Sequence, residues 1–362
     1  MTRLFFLTII ALLISFCLTG PAIQAETTLT WDQIEKGLLA YPPSFENVEQ
    51  RARLFRAYDG HLNDRLTTYD PELVSFYRKR VDQGLQDLEQ FKVEEGVGVF
   101  KFYSSSIVLK SKEGIVLVDF CQGPVQNNAE PELTADAHTR FYWTPGQRDR
   151  LASLVDVMLI THRHHDHADF SLVKRLVKLG KPVLGPAQLH SHWGKADFST
   201  KIRVPKYETV ERIGPCELYT FNGAQFGDSI ILPDGSKKTV SGKNDSEHAV
   251  YLIKTGEITF LQAAENYYPL TKWLRNAQDA GFRLNVLLSG GMSESGPSVN
   301  AFYPDVFQIP VHDHELKHRG GGNKLYPFFK NKAAFTNRRQ MPLMWGEHFL
   351  VTKKLVAFTE MD

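Results

Sequence analysis

Two periodicities divide this chain. Up to about residue 92 the apolar positions recur every three or four residues. The clearest run is Leu73, Tyr77, Val81, Leu85 and Leu88, which marks one face of a helix. Asp70 as N-cap and Pro71 in the first turn are a favourable start for it. Pro42-Pro43 interrupts an earlier, weaker helical stretch. Residues 26–92 are thus expected to form a helical N-terminal extension. It carries no chemical cluster, so packing is its expected role, with a substrate lid as the alternative.

From Gly96 the pattern becomes that of strands. Val97–Tyr103 and Ser106–Lys110 lead through a Lys112-Glu113-Gly114 turn to Ile115–Phe120, which is apolar enough for an interior strand. A short helix near Gln147–Leu154 precedes the apolar run Val155–Ile160. Phe170–Leu179 and residues 187–195 read as helices around a strand at Pro182–Leu184. Further strands are expected at Glu217–Phe221, Ala249–Lys254, Ile258–Leu261, Leu284–Leu288, Phe307–Val311 and Pro342–Thr352, with a helix near Leu270–Ala280. Strand groups separated by helices predict layered α/β packing over residues 93–362.

The N-terminus changes the expected location. Arg3 precedes an apolar run from Leu4 to Leu18, Gly20-Pro21 breaks it, and Ile23-Gln24-Ala25 offers a small residue for cleavage. The run is short for a bilayer span, so residues 1–25 read as a secretory signal peptide, with an uncleaved anchor as the alternative. A periplasmic or secreted protein with no stable membrane insertion after cleavage follows. With 42 basic and 41 acidic residues there is no basic stripe for nucleic acid. Past the signal only Cys121 and Cys216 remain; they are too few for a disulfide framework and either pair in an oxidising compartment or stand as small unpaired hydrophobes.

Chemistry concentrates in histidine. Seven of thirteen lie in two short clusters, and the first reads Thr161-His162-Arg163-His164-His165-Asp166-His167-Ala168-Asp169 directly after the apolar run ending at Ile160. A strand ending in H-x-H-x-D-H places His162, His164, Asp166 and His167 on one tight turn, with donors that first-row divalent metals accept. Downstream, His312 again follows an apolar strand and is the expected partner; His314 and His318 are alternatives. Glu265, after Ile258–Ala264, is a further ligand candidate at a strand terminus. His248 is either another ligand or a loop histidine. Gly291-Met292-Ser293-Glu294-Ser295 lacks the last glycine of a serine-hydrolase elbow.

With these motifs the chain resembles the metallo-β-lactamase superfamily, and within it the L-ascorbate-6-phosphate lactonase-like group. The likeness runs through Ile107-Val108-Leu109-Lys110-Ser111, Val118-Asp119-Phe120, Thr161 to Asp169, Ala249 to Thr255, Ile309-Pro310-Val311-His312 and Met341 to Gly346. It covers roughly residues 96–352 and implies a four-layer αββα sandwich with a metal site at one edge between two sheets. By position His162, His164, Asp166 and His167 match the family's motif ligands, and His312 its late histidine. Two departures stand out. Ala264-Glu265 replaces a glycine–aspartate pair, so the longer carboxylate would shift a metal and its bridging role is put in question. The middle histidine that the family draws from a later strand has no counterpart between His192 and His248, where Asn222 or Gly223 stands, so one metal would be weak or absent.

The expected activity is metal-dependent hydrolysis of a small molecule. One or two divalent ions, zinc or manganese, would bring the pKa of bound water from 15.7 to near 7 for attack on a lactone, ester or amide carbonyl. Asp166 would hold that water and relay its proton. Asp119 and Asp169 would orient imidazoles or else cap turns. His318 and Arg319, beside Gly320-Gly321-Gly322, would bind an anionic group or form a solvated loop. The competing readings are a phosphodiesterase or phospholipase using the same water, and a degenerate, non-catalytic metal-binding protein.

Overall fold

The strands are apolar on both faces because both faces are covered. In a computed structural model the described residues are 29–62, 71–123, 142–224, 229–231, 237–239, 247–266, 268–290, 299, 302–313 and 324–357. Residues 1–25, Asp70, residues 291–295, His314, His318, Arg319 and Gly320-Gly321-Gly322 lie outside them. Along β1 (Val97–Lys101), Val97 and Val99 join one core while Phe100 joins another. Along β10 (Glu247–Thr255), Ala249, Tyr251 and Ile253 join the first of these, and Val250 and Leu252 a third. A run alternating between two apolar environments has no polar phase, which is why the sequence shows continuous rather than alternating hydrophobicity.

Two six-stranded sheets result. The first has the order β14-β1-β2-β3-β4-β5, with β2 Ile107–Lys110, β3 Ile115–Val118, β4 Val157–Leu159, β5 Val183–Leu184 and β14 Glu347–Val351. The second has the order β13-β12-β11-β10-β7-β6, with β6 Val210–Ile213, β7 Cys216–Ala224, β10 Glu247–Thr255, β11 Ile258–Gln262, β12 Val286–Gly290 and β13 Phe307–Val311. A separate ribbon pairs β8 (Ser229–Ile231) with β9 (Lys237–Thr239). The core between the sheets joins Val116, Val118 and Leu159 to Ile253, Phe260 and Ile309. Helices α1 (Trp31–Ala40), α2 (Val48–Leu62), α3 (Pro71–Gln90), α4 (Pro145–Leu154) and α5 (Phe170–Lys178) share the core on the outer face of the first sheet. Helix α7 (Thr271–Asp279) covers the second, while the short α6 (Gln188–His192) follows β5 and α8 (Lys332–Thr336) and α9 (Lys353–Ala357) flank β14. This is the expected αββα order.

Boundaries moved where backbone chemistry intervened. The expected strand from Val97 to Tyr103 stops at Lys101 because Ser104 turns with φ +50° and Ser106 N–H donates to Tyr103 O. Likewise β3 ends before Asp119, whose φ is +51°. Strand β6 was not anticipated, since Val210-Glu211-Arg212 is mostly solvated at a sheet edge. Cys121 and Cys216 are both buried and are not joined to each other, because they sit in different cores on opposite faces of the first sheet. Among the described residues no helix is long and apolar enough to cross a membrane.

Candidate metal centre

The H-x-H-x-D-H turn hangs from the end of β4. Parallel pairing with β3 and β5 buries β4 and delivers the chain to Thr161. There Asp119, at the end of β3, accepts the Thr161 N–H at 2.7 Å, and its oxygens lie 2.9 and 3.0 Å from Thr161 Oγ1. The turn then closes on itself, with the His167 and Ala168 N–H groups donating to His164 O at 2.9 and 2.8 Å. His162, Asp166 and His167 are buried, while His164 is half-buried.

The second sheet brings the remaining groups to the same edge. His248 enters at the start of β10, where Ala249 N–H donates to Thr161 O at 2.7 Å. Glu265 follows β11, and its neighbour Asn266 accepts the Ala224 N–H at 3.2 Å, which ties that turn to the end of β7. Gly223 is what the closeness requires, because a side chain there would collide with Asn266 Oδ1. His312 follows β13, its N–H donating to Ser104 O at 3.0 Å.

The six residues expected as ligands therefore converge, and His248 joins them. Donor atoms of Asp166, His167, Glu265 and His312 form one group within 4.8 Å of one another; those of His162, His248 and Glu265 form a second, and those of His162, His164 and Asp166 a third. His312 Nε2 lies 2.9 Å from both Asp166 Oδ2 and Glu265 Oε1, and His167 Nε2 lies 3.1 and 3.4 Å from the same two atoms. Glu265 Oε2 faces the other way, 3.5 Å from His162 Nε2 and 3.9 Å from His248 Nε2. One oxygen of Glu265 thus serves each side.

His248, which the sequence left open as a ligand or a loop histidine, lies in a strand at this edge. It is fully buried, and its ring stacks on His162 at 4.1 Å and 18°. In the β7–β10 register it pairs with Gly223, the position where the sequence showed only a gap.

Asp119 and Asp169, equivalent by sequence, separate here. Asp119 Oδ2 takes the His167 Nδ1 proton at 2.8 Å, turning Nε2 toward the centre, and Thr161 Oγ1 lies 3.1 Å from His162 Nδ1. Asp169 instead caps α5, accepting the Leu172 N–H at 2.8 Å. Asp169→Ala is expected to cost about 1 kcal/mol of stability and leave metal content intact. Asp119→Ala is expected to weaken metal retention about 10- to 100-fold. Calorimetric melting and metal titration on both variants check the contrast; equal metal loss in the two would refute it.

The electrostatics ask for a cation. Burial alone would raise Asp166 and Glu265, but His167 and His312 beside them hold both carboxyls well below the usual range. Conversely, burial would lower His167 and His312, and the facing carboxylates outweigh it and raise both well above the ordinary imidazole value. His162 is pushed well down by burial and neighbouring imidazoles, and His164 falls to about 4, mainly through burial. The buried Asp166 and half-buried Glu265 carboxylates thus draw positive charge into the centre, while His162 and His164 stay neutral donors. His167 Nε2 has no well-aligned hydrogen-bond partner there. Imidazole and carboxylate donors of this kind fit a zinc- or manganese-type ion.

Three strand ends at the centre carry non-glycine residues in the left-handed region: Asp119 at φ +51°, Ala264 at +44° and His312 at +61°. Each costs roughly 1–2 kcal/mol against the ordinary conformation. Ala264 stands where the resemblance implies glycine, which this backbone conformation favours.

No family model matches the chain, and no curated protein is similar to it in sequence at a significant level. Solved structures do resemble it. One, described as a possible metal-dependent hydrolase from Veillonella parvula, is 15% identical with a TM-score of 0.48 over 72% of this chain and 100% of its own. An isothiocyanate hydrolase from Delia radicum gut bacteria is 16% identical with a TM-score of 0.47 over 70% and 99%. The metallo-beta-lactamase fold protein YhfI from Bacillus subtilis is 13% identical with a TM-score of 0.42 over 71% and 99%. At these identities no activity is carried over from any of them.

Proposed function

We propose that this chain is a metal-dependent hydrolase acting on a lactone, ester or amide carbonyl of a small molecule, exported from the cytoplasm after loss of residues 1–25. The observation that carries the reading is Glu265, whose two oxygens face different imidazole groups across one buried centre. A zinc- or manganese-type ion supplies, when bound, Lewis acidity and a lowered pKa for water. His162, His164, His167, His248 and His312 would hold it together with Asp166 and Glu265, each carboxylate belonging to two of the donor groups.

The chain's own groups do the rest. Burial keeps His162 and His164 neutral, so their lone pairs are available at neutral pH. Asp119 fixes the His167 ring with Nε2 inward. Asp166 Oδ2 is engaged by His167 and His312, which leaves Oδ1 to accept a proton from attacking water. Glu265 and His312 keep 15% and 14% side-chain exposure, whereas His162 and His248 keep none, so substrate approaches from the Glu265–His312 side. Export argues against a cytoplasmic sugar phosphate as substrate.

The test combines metal analysis of the purified chain with lactone, ester, amide and phosphodiester panels, each with and without chelator. Chelator-sensitive turnover of a carbonyl substrate is expected. Turnover confined to phosphodiesters would replace the reading with a phosphodiesterase. Less than one tightly held metal per chain would leave a degenerate scaffold.

A further inference from the structure

Close to the centre lies a buried charge pair that no ligand role accounts for. Lys101, the last residue of β1, pairs with Asp313, the residue after His312, and both side chains are fully buried. Lys101 Nζ also donates to Phe102 O at 2.7 Å and Ser104 O at 2.6 Å, so all three of its donors are used. Ser104 O in turn accepts the His312 N–H at 3.0 Å. The next residue, Ser105, donates its hydroxyl to Asp166 O. Ser106 Oγ accepts the N–H of Cys121, two residues past Asp119, at 2.8 Å. One turn, residues 101–106, therefore grips the chain beside three residues of the centre.

Stability alone is a weak reason for such a pair. Replacing a buried ion pair by apolar side chains of similar volume is often neutral or stabilising, so what the charges add is geometry. Geometry is what His312 needs. At φ +61° it holds a conformation that persists only where its surroundings over-determine it. That backbone conformation directs its side chain toward the centre, where Nε2 lies 2.9 Å from Asp166 Oδ2.

We propose that the Lys101–Asp313 pair and the Ser104-Ser105-Ser106 turn form a positioning unit, which sets His312 and Asp166 against each other and so determines how tightly their side of the centre holds a metal. The inference rests on the metal-binding reading above. It predicts a graded effect: the group of Asp166, His167, His312 and Glu265 depends on the unit through two of its members, the group of His162, His164 and Asp166 through one, and the group of His162, His248 and Glu265 through none.

Cobalt(II) titration of the full chain, followed by visible absorption, tests it in Lys101→Met, Asp313→Asn and Ser105→Ala, with circular dichroism and melting in chelator alongside. Variants with wild-type dichroism are expected to lose about 10- to 100-fold in affinity for the most strongly affected cobalt ion, with an altered spectrum for that ion and a smaller loss for any other. Ser105→Ala removes one hydroxyl and keeps the test open should the charge variants fail to fold. Wild-type affinity and spectrum in folded variants would overturn the proposal. So would an equal loss of both ions in step with lowered melting, the mark of a purely structural role. If the wild-type chain takes up no cobalt, the metal reading itself has failed, and this inference falls with it.

Discussion

Asp166→Ala is expected to lower kcat by roughly two to four orders of magnitude, the range that a positioned proton acceptor contributes. Asp166 is the one carboxylate shared by the group with His162 and His164 and the group with His167, Glu265 and His312. Its loss removes a donor from both groups. It also removes the negative charge 2.9 Å from His312 Nε2 and 3.1 Å from His167 Nε2. The fold should survive, because the tie from Ser105 reaches the Asp166 carbonyl, which alanine keeps. Asp166→Asn separates the two losses. It preserves shape and one oxygen donor but cannot take a proton, so metal content should fall less than turnover. Turnover of either variant within tenfold of wild type, on a substrate that the wild-type chain hydrolyses, would remove Asp166 from proton transfer.

Much of this centre could be read from the chain, for a local reason. His162, His164, Asp166 and His167 share one turn after one buried strand, so their convergence needs no tertiary knowledge. His312 and Glu265 were accessible because each follows an apolar strand, and strand ends in layered α/β folds gather at one edge. His248 was not accessible in the same way. It begins a strand rather than ending one, and only the antiparallel β7–β10 pairing brings it over His162. The different fates of Asp119 and Asp169 were equally hidden, since both are aspartates beside a strand or turn. What separates them is that Asp119 turns back with φ +51° toward His167, while Asp169 opens a helix. The Lys101–Asp313 pair left no signal at all: two opposite charges 212 residues apart in sequence meet only when β1 and β13, in different sheets, close over one core.

The largest expected loss of stability lies away from the chemistry. Arg51, on α2, makes a two-pronged pair with Glu347 at the start of β14, Nη1 to Oε1 at 2.8 Å and Nη2 to Oε2 at 2.6 Å. Both are buried, and the guanidinium also donates to Tyr41 O and Pro342 O, each at 3.0 Å. Arg51→Met strands the Glu347 carboxylate in the core without its two-pronged partner, leaving the Met344 N–H at 2.7 Å and the more distant charge of Arg80 to stabilise it. Removing one partner of such a pair costs about 3–5 kcal/mol, because the remaining charge must be buried uncompensated or protonated. Arg51→Met/Glu347→Gln removes that charge while keeping an acceptor for Met344 N–H, and is expected to recover most of the loss. Denaturant melts of the single and double variants decide the matter: an unchanged midpoint for the single, or no recovery in the double, would show that the pair does not fasten α2 to the sheet. Glu347 is the register partner of Lys101, and Gly346 N–H donates to Lys101 O at 2.7 Å. The fastening therefore ends on the rung of β1 that leads into the serine turn. Per folded molecule, Arg51→Met should still hold its metal, because Lys101 keeps Asp313, Phe102 O and Ser104 O as partners.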